Sequence, residues 1–205
     1  MTPLSTPPCP DQAELRRIGR ESGLAAGLAA VLAGLDPYAV APGGRAVLPV
    51  ADVPADARVV PHVFAHREGL ALVRLPAAGG SGLPASRSAA LAAVRCGVLE
   101  RLLDAAAHRL ARRGFGGVPL AEQQLVQGAT ADVVTVLHTA AATAPDAPAA
   151  ALAAVHEQLT EAAWTVARFF GAEGFVAAHP VWALHLSALT ADVWAPRAVS
   201  GRGSR

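Results

Sequence analysis

A chain of 205 residues and 20.8 kDa is long enough to bury one ample core without disulfide or metal staples. Hydrophobic residues make up 53% and charged residues 16%, with a mean hydropathy of +0.37, which excludes the charge-rich, apolar-poor composition of a disordered chain. Seventeen basic residues, all of them arginine, balance sixteen acidic ones to a net charge of +1, and aromatics are only 4%, so neither a basic face nor a stacking platform for nucleic acid is expected.

Residues 1–10 hold four prolines and no apolar period, and read as a disordered tail. They show neither a basic segment nor an apolar one of signal-peptide type, and no later apolar run reaches the roughly 20 residues that span a bilayer. A cytoplasmic protein with no membrane contact is the expectation. Cys9 and Cys96 make neither a disulfide framework nor a zinc ligand set.

Residues 11–84 read as a reduced helix-and-strand segment. Leu15, Ile18, Leu24, Leu28, Val31, Leu32 and Leu35 recur at three- and four-residue steps, which predicts one amphipathic helix from Asp11 to Leu35. Proline and glycine punctuation then frames three short β-branched runs, Ala46-Val47-Leu48, Arg58-Val59-Val60 and Leu70-Ala71-Leu72-Val73, which predict short strands. His62 and His66 share strand parity, but no cysteine or helical glutamate motif joins them, and no metal site is predicted.

Residues 85–197 predict four long helices. The first opens at Pro84-Ala85 with Ser86 as N-cap and runs through Leu91, Val94, Val98, Leu102 and Leu110. Arg112 and Arg113 complement its C-terminus, and Gly114 supplies a left-handed stop. The second starts at Pro119 and runs to Thr143; the third spans about 147–170 and stops at Gly171; the fourth is prepared by Pro180 and reaches Trp194. His108, His138, His156 and His185 are expected on partly exposed helix faces, and His179 in a turn. Breaks of a few residues make an antiparallel bundle the expected packing. Residues 198–205 read as a flexible tail. The fold class is therefore mainly α: a four-helix bundle preceded by one helix and a few strands.

Two motifs carry a resemblance. The run Arg113-Gly114-Phe115-Gly116-Gly117-Val118-Pro119-Leu120-Ala121-Glu122-Gln123-Gln124-Leu125-Val126-Gln127, followed by Ala131-Asp132-Val133, is similar to an Arg-x-x-Phe-Gly-x-Pro-Leu-x-x-x-Gln-x-Val-Gln motif and its later Leu-Ala-Asp-Met. The run Phe170-Gly171-Ala172-Glu173-Gly174-Phe175, with Pro180-Val181 after it, resembles a Gly-Gly-x-Gly-Phe/Tyr turn. Both belong to the C-terminal helical bundle of the acyl-CoA dehydrogenase family of flavoproteins, and the likeness extends from about Ser86 to Trp194. Residues 47–76 resemble the end of that family's middle β-domain. Family chains are considerably longer, so the resemblance implies a truncated form.

The resemblance implies roles for particular residues. In the family these motifs reach across a dimer interface to the FAD of the neighbouring subunit, which assigns cofactor contact to Arg113, Phe115, Gln124, Gly171 and Gly174. A guanidinium suits a pyrophosphate, and glycine permits close backbone approach. The family's catalytic glutamate has no counterpart: Trp194-Ala195-Pro196-Arg197 stands where it is expected, and the alternative position offers Ser86, Arg87 and Ser88. No catalytic residue is assigned, and Glu173 and Asp192 are the nearest carboxylates in sequence. The implied function is a flavoprotein subunit, inactive alone, that forms a hetero-oligomer with a longer homologous subunit and completes its FAD site for oxidation of an acyl thioester. A flavin-dependent oxygenase on the same scaffold, or a cofactor-free helical scaffold, are the alternatives.

Overall fold

The computed structural model describes residues 10–76, 79–176 and 179–195. Residues 1–9 of the predicted tail 1–10, all of the predicted tail 198–205, the Pro196-Arg197 pair and the side chain of Phe175 fall outside the described residues.

The chain begins with two helices, where one was expected. Helix α1 (Gln12–Glu21) is capped by Asp11, whose carboxylate accepts from the Glu14 backbone N–H at 2.7 Å. The helix stops at Ser22, because Gly23 adopts φ +87°, a left-handed value that breaks the ladder before α2 (Gly23–Leu32). The hydrophobic period runs across this break unbroken, which is why the sequence read as one helix. Both segments lie on α5 (Ala85–Arg112), the long first helix of the bundle. Glycines set the closeness of that contact: a Cβ on Gly97 would sit 2.0 Å from the Arg16 carbonyl oxygen, and one on Gly19 would sit 2.2 Å from that of Val94.

A one-turn helix α3 (Pro37–Val40) leads into β1 (Arg45–Pro49), followed by β2 (Arg58–Val60), a short helix α4 (Val63–Arg67) and β3 (Leu70–Arg74). The three strands form an antiparallel sheet in the order β1-β3-β2, with Val47 opposite Leu72 and Leu72 opposite Val60. The three predicted strands are present. His62 and His66 are not on a strand: His62 caps α4, its Nδ1 accepting from the Ala65 N–H at 3.1 Å, and this side-chain cap replaces the extended geometry that strand parity assumed.

Helices α5, α6 (Gln124–Ala141), α7 (Ala149–Phe169) and α8 (Trp182–Trp194) form the bundle. Three predicted boundary signals act differently. Pro84, without a side-chain bond, is the N-cap of α5, and Ser86 lies exposed inside the helix. Gly114 is not a left-handed stop: it is extended in a two-residue strand β4 (Gly114–Phe115), which pairs with β5 (Val118–Pro119) around Gly116 and Gly117 at φ +62° and +81°. Two consecutive left-handed residues are what a two-residue hairpin turn requires, so the glycine pair makes a hairpin and places Pro119 in a strand instead of a first helical turn. Gly171, where the third helix was expected to stop, adopts a left-handed φ of +59° just past the end of α7.

One hydrophobic cluster joins both halves of the chain, from Leu15, Leu24 and Leu28 through Val47 and Leu70 to Leu91, Leu159 and Leu186. Trp194, wholly buried, locks the end of α8 to the sheet by donating its indole N–H to the Val47 carbonyl at 2.8 Å. No helix among the described residues is long and apolar enough to cross a membrane.

Candidate functional site

The two sequence motifs meet at the C-terminal end of α5. Arg113 is the residue after the helix, and Arg109 lies one turn before it on the same side. The short 3₁₀ turn Gly171–Phe175 that follows α7 brings Glu173 against both: its Oε2 accepts from Arg109 Nη1, and its Oε1 from Arg113 Nη2 at 3.3 Å. The Arg109 hydrogen bond, ahead of the charges of both arginines, holds the Glu173 carboxyl below the usual carboxylate range. A carboxylate of lowered pKa is a weaker proton acceptor, and in this arrangement Glu173 anchors both arginines.

The remaining predicted residues differ in exposure and in what surrounds their backbone. Gly171 is exposed, and its left-handed backbone has no atom within 4 Å of a would-be Cβ, so a ligand can approach it closely. Gly174 is buried, and a Cβ there would press at 3.2 Å on the Ala167 carbonyl oxygen and on Phe170; its role in the fold is packing. Phe115 projects from the hairpin 78% exposed, Gln124 is exposed at the start of α6, and the adjacent Leu125 is 89% exposed. Leu120 N–H bonds to the Arg113 carbonyl at 2.7 Å, which ties the hairpin back to the helix end.

A second polar cluster lies inside the bundle, and sequence reasoning missed it. Arg95 of α5 is 1% exposed, and its guanidinium is satisfied by neutral acceptors: Nε donates to Ser187 Oγ at 3.0 Å, Nη1 to His156 Nδ1 at 2.8 Å and to the His156 carbonyl at 3.0 Å, and Nη2 to Thr160 Oγ1 at 2.8 Å. Because Arg95 can only donate, Nδ1 of His156 accepts and the proton sits on Nε2, which faces the Ser88 hydroxyl at 3.1 Å and the Ser88 carbonyl at 3.2 Å. Burial lowers the guanidinium to about 10, and burial together with the Arg95 charge pushes the imidazole down to about 3. His156 is therefore buried and neutral, not on an exposed face; the legible signal was only that Arg95 falls on the apolar side of an otherwise periodic helix. The same cluster engages Ser88, at the alternative position where the sequence offered no carboxylate, and Ser187 of α8.

Elsewhere the carboxyl whose environment burial shifts upward is Glu68, partly offset by the charge of Arg101. It lines an open pocket of about 530 Å³ with Phe64, Trp182 and His179. Phe64 and Trp182 stack there at 3.8 Å between ring centroids, and Trp182 in turn touches His185. His179 occupies the predicted turn, its Nδ1 accepting from the Val181 N–H at 3.2 Å. Of the aromatic residues near this end of the bundle, Trp194 and Phe170 are core, whereas Trp164 is 46% exposed.

No family model matches the sequence, and none of the curated proteins does. Among solved structures, the chain is similar to one of a variant of the Tcur3481-Tcur3483 steroid acyl-CoA dehydrogenase, with 24% identity and a TM-score of 0.48 over 69% of this chain and 45% of that one. It is also similar to FkbI, a protein for biosynthesis of the methoxymalonyl extender unit of the Fk520 polyketide immunosuppressant, with 26% identity and a TM-score of 0.47 over 69% of this chain and 47% of that one. A steroid acyl-CoA dehydrogenase is thus among its structural neighbours. The chain spans a little under half the length of either neighbour.

Proposed function

We propose that this chain is an acyl-CoA dehydrogenase-like flavoprotein subunit that does not carry its own base and lends the face formed by Arg113, Phe115, Gln124 and the Gly171 turn to the FAD site of a longer homologous subunit. The observation that supports it is the ion pair of Glu173 with Arg109 and Arg113, through which the two motifs that resemble FAD-facing segments converge on one exposed surface. The residues suit the group. Arg113 is more than half exposed and holds Glu173 by a long 3.3 Å contact, so a pyrophosphate can replace the carboxylate on Arg113 while Arg109 retains it. Gly171 leaves its backbone open two residues before Glu173. Phe115 and Leu125 offer apolar area that a partner would cover.

FAD supplies the hydride acceptor for oxidation of an acyl thioester; this chain binds and orients it. Proton removal falls to the partner, because the residue where the family resemblance expects a glutamate is Ala195 and Glu173 is held ionised by two arginines. The test is co-expression with a longer homologue, followed by purification on a tag carried only by this chain. A complex showing flavin absorbance, lost in Arg113→Ala while the two subunits remain associated, is the expected result. A colourless single chain under those conditions refutes the reading. Flavin retained by the isolated chain, with turnover by an added reductase, favours an oxygenase on this scaffold.

A further inference from the structure

The register of the three-stranded sheet puts Arg45 opposite Arg74 and Arg58 opposite the same Arg74, so three guanidiniums stand in one row across β1, β3 and β2. Strands lie roughly 4.8 Å apart, and directly opposed like charges destabilise a sheet. Among the described residues, no carboxylate makes an ion pair with any of the three. Two residues further along each strand, on the same face, the next row is Val47, Leu72 and Val60. A cationic row and an apolar row thus lie side by side, about 7 Å apart.

This face floors a cleft of about 810 Å³, whose opposite wall is the last two turns of α8, including Leu189 and Val193. Arg45, Arg74, Val47, Leu72 and Val60 all line it. Asp192 also lines that wall, and its charge acts on the buried Arg95. We infer that the cleft binds an amphiphile with a phosphate head, its head on Arg45 and Arg74 and its apolar body along Leu72 and Val60 against Leu189 and Val193 of α8. A phosphate dianion offsets the mutual repulsion of Arg45 and Arg74, the two arginines of the row that line the cleft, and guanidiniums bond its oxygens in forked pairs. The inference does not depend on the flavin reading: the cleft lies between the sheet and α8, and its test requires neither flavin nor a partner subunit.

The experiment is calorimetric titration of the full chain with n-octyl phosphate, kept below its micelle concentration. One site is expected, with inorganic phosphate, n-octanol and nonanoate each at least about 10-fold weaker. Arg74→Gln is expected to weaken n-octyl phosphate about 10-fold, and to raise the melting temperature of the unliganded chain by relieving the opposed charges. Equal affinity for n-octanol or nonanoate, unchanged binding in Arg74→Gln, or a lowered melting temperature in that variant would each overturn the inference.

Discussion

Arg95, inside the long helix α5, and Arg113, the residue just past its end, lie about five turns apart and have opposite fates. Arg95 is sealed in the bundle with all three guanidinium nitrogens engaged by Ser187, His156 or Thr160, whereas Arg113 extends past the helix end and shares one exposed carboxylate with Arg109. The first cannot exchange its partners without opening the core; the second can exchange its partner for any anion. Residue type and helix position do not separate a structural arginine from an available one. What separates them is which neighbouring elements close over the side chain, here α7 and α8 over Arg95 and only a short 3₁₀ turn beside Arg113.

The strongest test of that contrast is His156→Ala. It removes a direct neutral acceptor of the buried cation and leaves a charged donor unsatisfied, which should cost about 3 kcal/mol on denaturant unfolding. Arg95→Met removes the charge itself and should cost less, since a buried ion replaced by a well-packed apolar side chain is often tolerated. If the two variants are equally damaging, the charge is not what makes the cluster sensitive.

Acid should attack the same region first. The imidazole titrates near 3 in the folded chain against about 6.5 in the unfolded one, so the unfolded state takes up a proton that the folded state refuses. Stability is then complete above pH 6.5 and falls as pH drops towards 3, at up to about 1.4 kcal/mol per unit. A melting curve measured from pH 7 to pH 4 checks this, and His156→Gln should flatten the slope.

Smaller effects belong to the exposed end. Gly171→Ala forces a side chain into a left-handed backbone and should cost about 1 kcal/mol, without any clash from neighbours. Gly174→Ala meets the Ala167 carbonyl and Phe170 instead, and its damage should appear in packing, as altered near-ultraviolet dichroism. Arg113→Ala should shift the melting temperature of the isolated chain by about 2 °C or less. A larger shift would mean that the Glu173 pair carries structure, and would undercut its reading as an exchangeable ligand contact.

Periodicity and punctuation sufficed for the four bundle helices, the three strands and the end of α7 at Gly171, because these signals are local: apolar spacing, β-branched runs and glycine set them without help from distant residues. The same local reading merged α1 with α2, since the apolar stripe continues through Ser22 and Gly23 and only the packing of both segments on α5 makes the break favourable. It also mistook Gly114 for a helix stop, because the Gly116-Gly117 pair had a better use in a hairpin.

Site residues divide in the same way. Arg113 and the Gly171 turn were legible as motifs, but that Glu173 joins them depends on α7 ending beside α5, some 60 residues away in the chain. The Arg95-His156 cluster brings together residues separated by 61 positions and exists only in the closed bundle, where exclusion of water turns an arginine, a histidine and three hydroxyls into one network. The amino-acid order by itself determined which segments are helical, which are extended and where an arginine stands. Tertiary structure alone decided which arginine is buried, which is shared and which faces an open cleft, because desolvation and charge pairing depend on neighbours that no local pattern specifies.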